Sequence, residues 1–365
     1  MSYVLTRPEQ HGKALAPNPS DFEVPGVSYT YSVVEKVDPK AKTVFLQSFK
    51  AVPYDFLIVA TGFRVPLVYP KPGMSLSSRR EEIRDIGEKL LNASSIVVLG
   101  GGPIALEVAG DIKAAHPRLN VKILAKDLLK QWPVEIRQEV EGQLAKMGIE
   151  LTKISKNVDI LEPQLTPGTV TVDGKDIKYD LLLPMFMQGP NTEFLAAADG
   201  VLDDAKRIKV NGYLQSEAYP EIFAIGVGNS KDPWIGIPKL TAQWQTVAAN
   251  VTAKATGADM KLHEEAMPTM ARQPMLIIGH GPNGYGHLDF KMVPAPVQCC
   301  LCMGYGGFPC CPPICLWPMC GPCACGYCCL SPHGTGLAKF VEGVQFDFGK
   351  DNFKGMGKPE QQAME

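Results

Sequence analysis

An α/β fold with parallel sheets follows from three observations. Strand and helix patterns alternate along most of the chain, a glycine-rich turn stands between an apolar strand and an amphipathic helix, and a second apolar strand runs into a small-residue turn. At 365 residues the chain is long enough for about two domains with cores of their own. A net charge of −2 with 20% charged residues leaves no electrostatic footprint for DNA or RNA, so a nucleic-acid partner is not expected. The first 26 residues carry no charged-then-apolar leader pattern, which predicts the cytoplasm.

Tyr31 to Gln47 holds two alternating, β-branched stretches around Asp38-Pro39-Lys40 and predicts a hairpin. Tyr54 to Gly62, YDFLIVATG, predicts a buried parallel strand ending in a turn. Arg64 to Ser78, with three prolines and a glycine, predicts a crossover, and RREEIRDIGEKLLNA then has helical spacing. Ser94 to Lys126 reads as strand, glycine turn, helix, strand. A further amphipathic helix starts near Trp132 and ends near Gly148, and short strands with a turn at Asp173-Gly174 run to Pro184. Ala218 to Asn229 repeats the strand-to-turn signal before a helix from Leu240 to Ala255.

The chemistry concentrates in Gly100-Gly101-Gly102-Pro103-Ile104-Ala105, the GxGxxA form of a dinucleotide fingerprint. Gly100 permits the tight turn, Gly102 lets the backbone approach a pyrophosphate, Pro103 suits the first helical turn, and Ala105 lets helix and strand pack closely. The helix N-terminus then faces the phosphate charge. At the end of the second strand, Lys126 would favour a 2′-phosphate and Asp127 a ribose hydroxyl, unless both are solvated strand-end charges. NADH and NADPH both remain open as the nucleotide. Glu107, on the first turns of the same helix, complements the helix dipole.

Together, YDFLIVATG, IVVLGGGPIALEVAGDI, RQEVEGQLAKMGIEL, YPEIFAIG and PKLTAQWQTVAANV resemble the pyridine-nucleotide-disulfide oxidoreductase superfamily. Within it they resemble the apoptosis-inducing-factor-like, ferroptosis-suppressor-like branch of NAD(P)H:quinone reductases. The likeness runs from about Tyr31 to Gly286 and resumes faintly from Phe348 to Lys358. It implies a flavoprotein fold with two dinucleotide-binding domains, using FAD and NADH or NADPH, with a quinone or other small electron acceptor. It also implies that Ala60, Thr61 and Gly62 lie beside the flavin, that Gly100 and Gly102 serve the nicotinamide nucleotide, and that Glu107 is the catalytic residue near nicotinamide and isoalloxazine. Gly226 matches the later flavin motif, in which an Asp normally follows to bind the ribityl chain; here the residue is Val227.

Two departures from the family pattern predict a flavin held weakly or lost. The sequence shows no first strand and GxGxxG loop ahead of the hairpin, which predicts an N-terminally incomplete fold, and Val227 offers no acceptor. All eleven cysteines fall between Cys299 and Cys329, so the dinucleotide-binding region has no redox pair of its own and electrons must leave to an outside acceptor.

From Met292 to Ala338 there is no Asp, Glu, Lys or Arg, and eight prolines exclude a regular spanning helix. This block fits attachment to a membrane surface through acylated cysteines, a soft-metal clamp at Cys320, Cys323, Cys325 and Cys328, or an insertion without structure. No metal ligands are assigned. Attachment would make a cytoplasmic protein peripheral on a membrane.

The expected organisation is a partial FAD domain (1–63), a crossover and helix (64–90), an NAD(P) domain (91–185), the remainder of the FAD domain (186–291), the cysteine-rich insertion (292–338) and a C-terminal segment (339–365). The function expected is an FAD-dependent NAD(P)H oxidoreductase. The alternative is a non-catalytic, membrane-associated NAD(P)H-binding protein that has lost its flavin.

Overall fold

The computed structural model describes residues 24–130, 132–233, 237–264, 275–278, 285–288 and 333–334. They fall into two units, one centred on Met74–Phe186 and one made of Tyr29–Gly73 with Met187–Met270. The hairpin opens the second of these: β1 (Val34–Asp38) pairs antiparallel with β2 (Thr43–Leu46), and β3 (Ala51–Pro53) adds to β2. Asp38 closes the turn, its Oδ1 accepting the N–H groups of Ala41 and Lys40, each at 3.0 Å. These bonds to the ionised form, Ala41 foremost, hold its carboxyl below the ordinary value. β4 (Leu57–Val59) is shorter and less covered than its apolar run suggests: Val59 is buried, but Ile58 is 46% exposed. Its only strand partner among the described residues is on one side.

The unit around Met74–Phe186 begins with α1 (Leu76–Asn92), capped by Ser75, whose hydroxyl accepts the N–H of Ser78 at 3.1 Å. That cap starts the helix ahead of the charged run at Arg79. Ile83, Ile86 and Leu90 form its buried stripe, while Asp85 and Lys89 pair at 3.1 Å on the exposed face. The chain then runs through β5 (Ser95–Leu99), α2 (Pro103–Ala115), β6 (Asn120–Ala125), α3 (Val134–Lys146) and β7 (Ile149–Lys153). Gly148, at φ +71°, supplies the left-handed residue that separates α3 from β7.

β8 (Gly168–Val172) and β9 (Lys175–Tyr179) form a hairpin about Asp173 and Gly174, both at positive φ, and β10 (Leu181–Pro184) completes the sheet. The order β10-β5-β6-β7 is parallel throughout, with Leu183, Val98, Ile123 and Leu151 in register. The first three of these are fully buried, each contributing about 1.5–3 kcal/mol of burial. Asp180 ties the start of β10 to that of β5, accepting the N–H groups of Ser94 (2.8 Å) and Ser95 (2.9 Å), which lower its carboxyl pKa.

The other unit resumes with β11 (Ile222–Ala224), parallel to β4 with Val59 opposite Ala224, and α4 (Ile237–Thr256). Its core gathers Val37, Leu195, Ile208, Leu214, Phe223 and Val247. Back in the unit around Met74–Phe186, β12 (Met275–Ile278), β13 (Tyr285–Leu288) and β14 (His333–Gly334) form an antiparallel sheet. Leu276 and Ile278 are buried. The cysteine block from Cys299 to Cys329, the faint likeness at Phe348 to Lys358 and the N-terminal residues 1–23 lie outside the described residues.

Candidate functional site

The three glycines after β5 turn out to do three different things. Gly100 lies at φ +124°, a backbone conformation that strains any side chain, donates its N–H to Leu124 O at 3.0 Å, and leaves a Cβ only a tight 3.1 Å from Met185 O. Gly101 is more crowded: a Cβ there would fall on the carbonyl oxygen of Asp127 and 2.9 Å from Ala125 Cβ. Gly102 is the N-cap of α2, with φ −86° and ψ 173°, and nothing lies within 4 Å of its Cβ position. Pro103 is the first helical residue, and no side chain caps this end. Ala105 is fully buried. An uncapped helix N-terminus beside a glycine with open space fits a pyrophosphate.

β6 ends beside this turn. Lys126 and Asp127 are exposed, and Asp127 sits 3.9 Å from Lys130. The chain then folds back onto the glycines: Leu129 donates its N–H to Gly101 O at 2.8 Å, Trp132 donates to Leu129 O at 2.7 Å, and Leu128, Leu129 and Trp132 are buried. Lys126 and Asp127 are therefore carried on a loop anchored to the glycine turn, with Gly101 as the point of contact. The GxGxxA spacing gives Gly101 no such role. Glu107, half-buried, lies further along α2.

In the other unit, β4 and β11 lie side by side and parallel, and Ile225 donates its N–H to Val59 O at 3.0 Å. Ala60–Thr61–Gly62 and Gly226–Val227 thus leave the carboxyl ends of neighbouring strands, where open α/β sheets bind ligands. Gly62 (φ +67°) and Gly226 (φ +70°) both adopt the left-handed conformation, and a Cβ at Gly62 would meet nothing within 4 Å. Val227 is 4% exposed.

Asn191, which carries no fingerprint, clamps the first of these turns. Its Nδ2 donates to Thr61 O (2.9 Å), its carbonyl accepts from Thr61 Oγ1 (2.5 Å), and its N–H donates to Gly62 O (3.0 Å). Arg64 in turn donates to Asn191 Oδ1 at 3.2 Å and pairs with Glu193 at 3.0 Å. The backbone fits a nucleotide cofactor at this sheet edge, while the Val227 side chain offers it no polar group.

Comparison with known proteins gives a consistent picture. The family model described as pyridine nucleotide-disulphide oxidoreductase matches residues 2–242. The chain is 31% identical over 269 residues to the FAD-dependent oxidoreductase FVFD30 of Flammulina velutipes, a match covering 71% of this chain and 82% of that protein. It is 26% identical over 211 residues to ferroptosis suppressor protein 1 of Homo sapiens, covering 54% of this chain and 56% of the relative, so it spans about half the length of that protein. Among solved structures, a ferredoxin reductase from Rhodopseudomonas palustris superposes with TM-score 0.53 at 21% identity, over 78% of this chain and 72% of that one. The sulfide:quinone oxidoreductase of Aquifex aeolicus gives TM-score 0.53 at 20% identity, over 76% and 73%. At those identities the likeness is one of fold.

Proposed function

Because the chain belongs to the pyridine nucleotide-disulphide oxidoreductase family, we propose that it oxidises NADH or NADPH through FAD and delivers the electrons to a quinone-type acceptor. The overall reaction is NAD(P)H + H⁺ + quinone → NAD(P)⁺ + quinol. The α/β fold and the oxidoreductase family are established. The observation that carries the proposal is the pairing of an open glycine cradle at Gly102 with a dinucleotide-binding region free of cysteine through residue 298, which leaves that region no disulfide of its own to reduce.

Bound flavin supplies the two-electron relay between hydride donor and acceptor. Everything else falls to the chain's own groups. The backbone N–H groups at the start of α2 neutralise the pyrophosphate, and Gly102 lets it approach. Lys126 and Asp127 address the adenosine ribose, Glu107 is assigned to the nicotinamide end, and Ala60–Gly62 with Gly226 form the flavin cradle. A hydride transfer of this kind needs no general base.

Visible absorbance tests the reading directly. Flavin bands that bleach on NADH addition and return with a soluble quinone support it, whereas a colourless protein that still binds NADH favours the flavin-free alternative. The observation behind that alternative is the apolar Val227. Nucleotide choice is tested by Lys126→Glu. If Lys126 meets a 2′-phosphate, NADPH binding falls about tenfold to a hundredfold relative to NADH, the worth of one charge-assisted bond. An unchanged NADPH/NADH affinity ratio leaves Lys126 a solvated charge.

Among the described residues no helix is long and apolar enough to cross a membrane. Attachment through acylated cysteines of the 292–338 block rests on its composition. Hydroxylamine, which cleaves thioesters, is expected to release the protein from membranes. A protein found only in the soluble fraction, with stoichiometric zinc or copper, would exclude attachment.

A further inference from the structure

We infer that Gln243 is a positioning residue that holds the Gly226–Gly228 turn in the geometry flavin requires, an inference that rests on the flavin reading above. Gln243 is fully buried on α4. Its Oε1 accepts the N–H of Gly226 at 2.7 Å and an N–H of Asn229 Nδ2 at 3.3 Å. Its Nε2 donates to Asp232 O at 2.7 Å and to Asp232 Oδ2 at 3.0 Å. A primary amide has two acceptor positions and two N–H groups, and here all four are engaged.

Asn229, also fully buried, completes the grip. Its Nδ2 donates to Gly226 O at 2.6 Å, and its Oδ1 accepts the N–H of Asp232 at 2.7 Å. The N–H and C=O of Gly226 are therefore both held by side chains. Gly226 needs such a hold: at φ +70° a glycine has a wide choice of conformations, and pinning both its polar groups selects one. The network extends to His263, whose Nε2 lies 3.4 Å from Asp232 Oδ2 and whose Nδ1 lies 3.3 Å from Thr246 Oγ1.

Anchoring α4 to the core does not by itself require this arrangement, because Val247, one turn on, is buried in the apolar cluster. What the amides add is a fixed path for the backbone leaving β11, at the strand end where the flavin cradle lies. Buried networks of this kind lose most when half satisfied.

The test is Gln243→Glu in the full-length chain, which keeps the shape and the acceptor for Gly226 but turns the donor pair into an oxygen facing Asp232 O and Oδ2. FAD titration is expected to show at least a tenfold weaker dissociation constant, with NADH binding unchanged. Adding Asp232→Asn, which supplies a donor opposite the new carboxylate, is expected to recover part of the loss, which a merely structural role would not produce. If the single variant fails to fold, hydrogen exchange on the wild-type chain takes its place: FAD must slow exchange of the Gly226 amide. FAD affinity within twofold of wild type in a folded Gln243→Glu protein overturns the inference, as does FAD binding that leaves the Gly226 amide unchanged. A wild-type chain that binds no FAD at all overturns the flavin reading instead.

Discussion

Replacing Gly102 by valine is expected to weaken NADH and NADPH binding at least a hundredfold while leaving the protein folded. The backbone at Gly102, φ −86° and ψ 173°, is extended and open to any residue, and no atom lies within 4 Å of the Cβ position. A valine there therefore costs the empty fold little. It stands instead where a pyrophosphate must approach the N-terminus of α2, and a hundredfold loss corresponds to about 2.7 kcal/mol.

Gly101→Ala is the matched control with the opposite signature. Its methyl group would meet the Asp127 carbonyl and Ala125 Cβ, so the 125–129 loop must shift before any ligand arrives. Overpacking of this kind costs about 1–3 kcal/mol, read as a lowered melting temperature. Calorimetry with both nucleotides and a thermal melt separate the two variants. A Gly102→Val protein that binds NADH like wild type removes the fingerprint assignment.

That contrast marks how far the sequence is legible. Spacing alone picks out Gly100, Gly102 and Ala105, because their roles follow from a motif whose backbone path recurs wherever strand, turn and helix are arranged this way. Gly101 escapes because its constraint comes from Asp127, a residue 26 positions later that folds back through Leu129. The parallel character of the sheet and the two hairpins are readable from apolar runs and turn residues, whereas the place of β10 beside β5 is not. β4 was readable as a strand but not as one with Ile58 half exposed, since burial depends on the neighbours the sheet acquires.

Asn191 and Gln243 are harder to read from sequence. Asn191 acts through its backbone as much as its side chain, which leaves no composition signal. Gln243 did leave one: Gln243, Val247 and Asn250 occupy i, i+4 and i+7 of α4 and are all buried. Amides at positions where a helix should be apolar announce a buried polar network. The contacts that network makes depend on tertiary structure.

Val227→Asp is expected to raise FAD affinity about tenfold to a hundredfold. The residue leaves the strand end next to Gly226, and its isopropyl group cannot accept a ribityl hydroxyl. A carboxylate there adds one charge-assisted hydrogen bond, worth roughly 1.5 to 3 kcal/mol. The same substitution has a cost in the absence of cofactor. Position 227 is 4% exposed, and burying an unpaired carboxylate is unfavourable, so the apo variant should melt below wild type. Saturating FAD supplies the missing partner and should raise its melting temperature by more than it raises that of wild type, because stabilisation grows with the ratio of ligand concentration to dissociation constant. Val227→Asn, a neutral acceptor of similar size, is expected to fall between the two. The measurements are flavin fluorescence titrations and melting curves with and without FAD. Should Val227→Asp destabilise the apo protein and gain no flavin affinity, the ribityl chain does not pass this turn, and the flavin cradle must be sought away from Gly226.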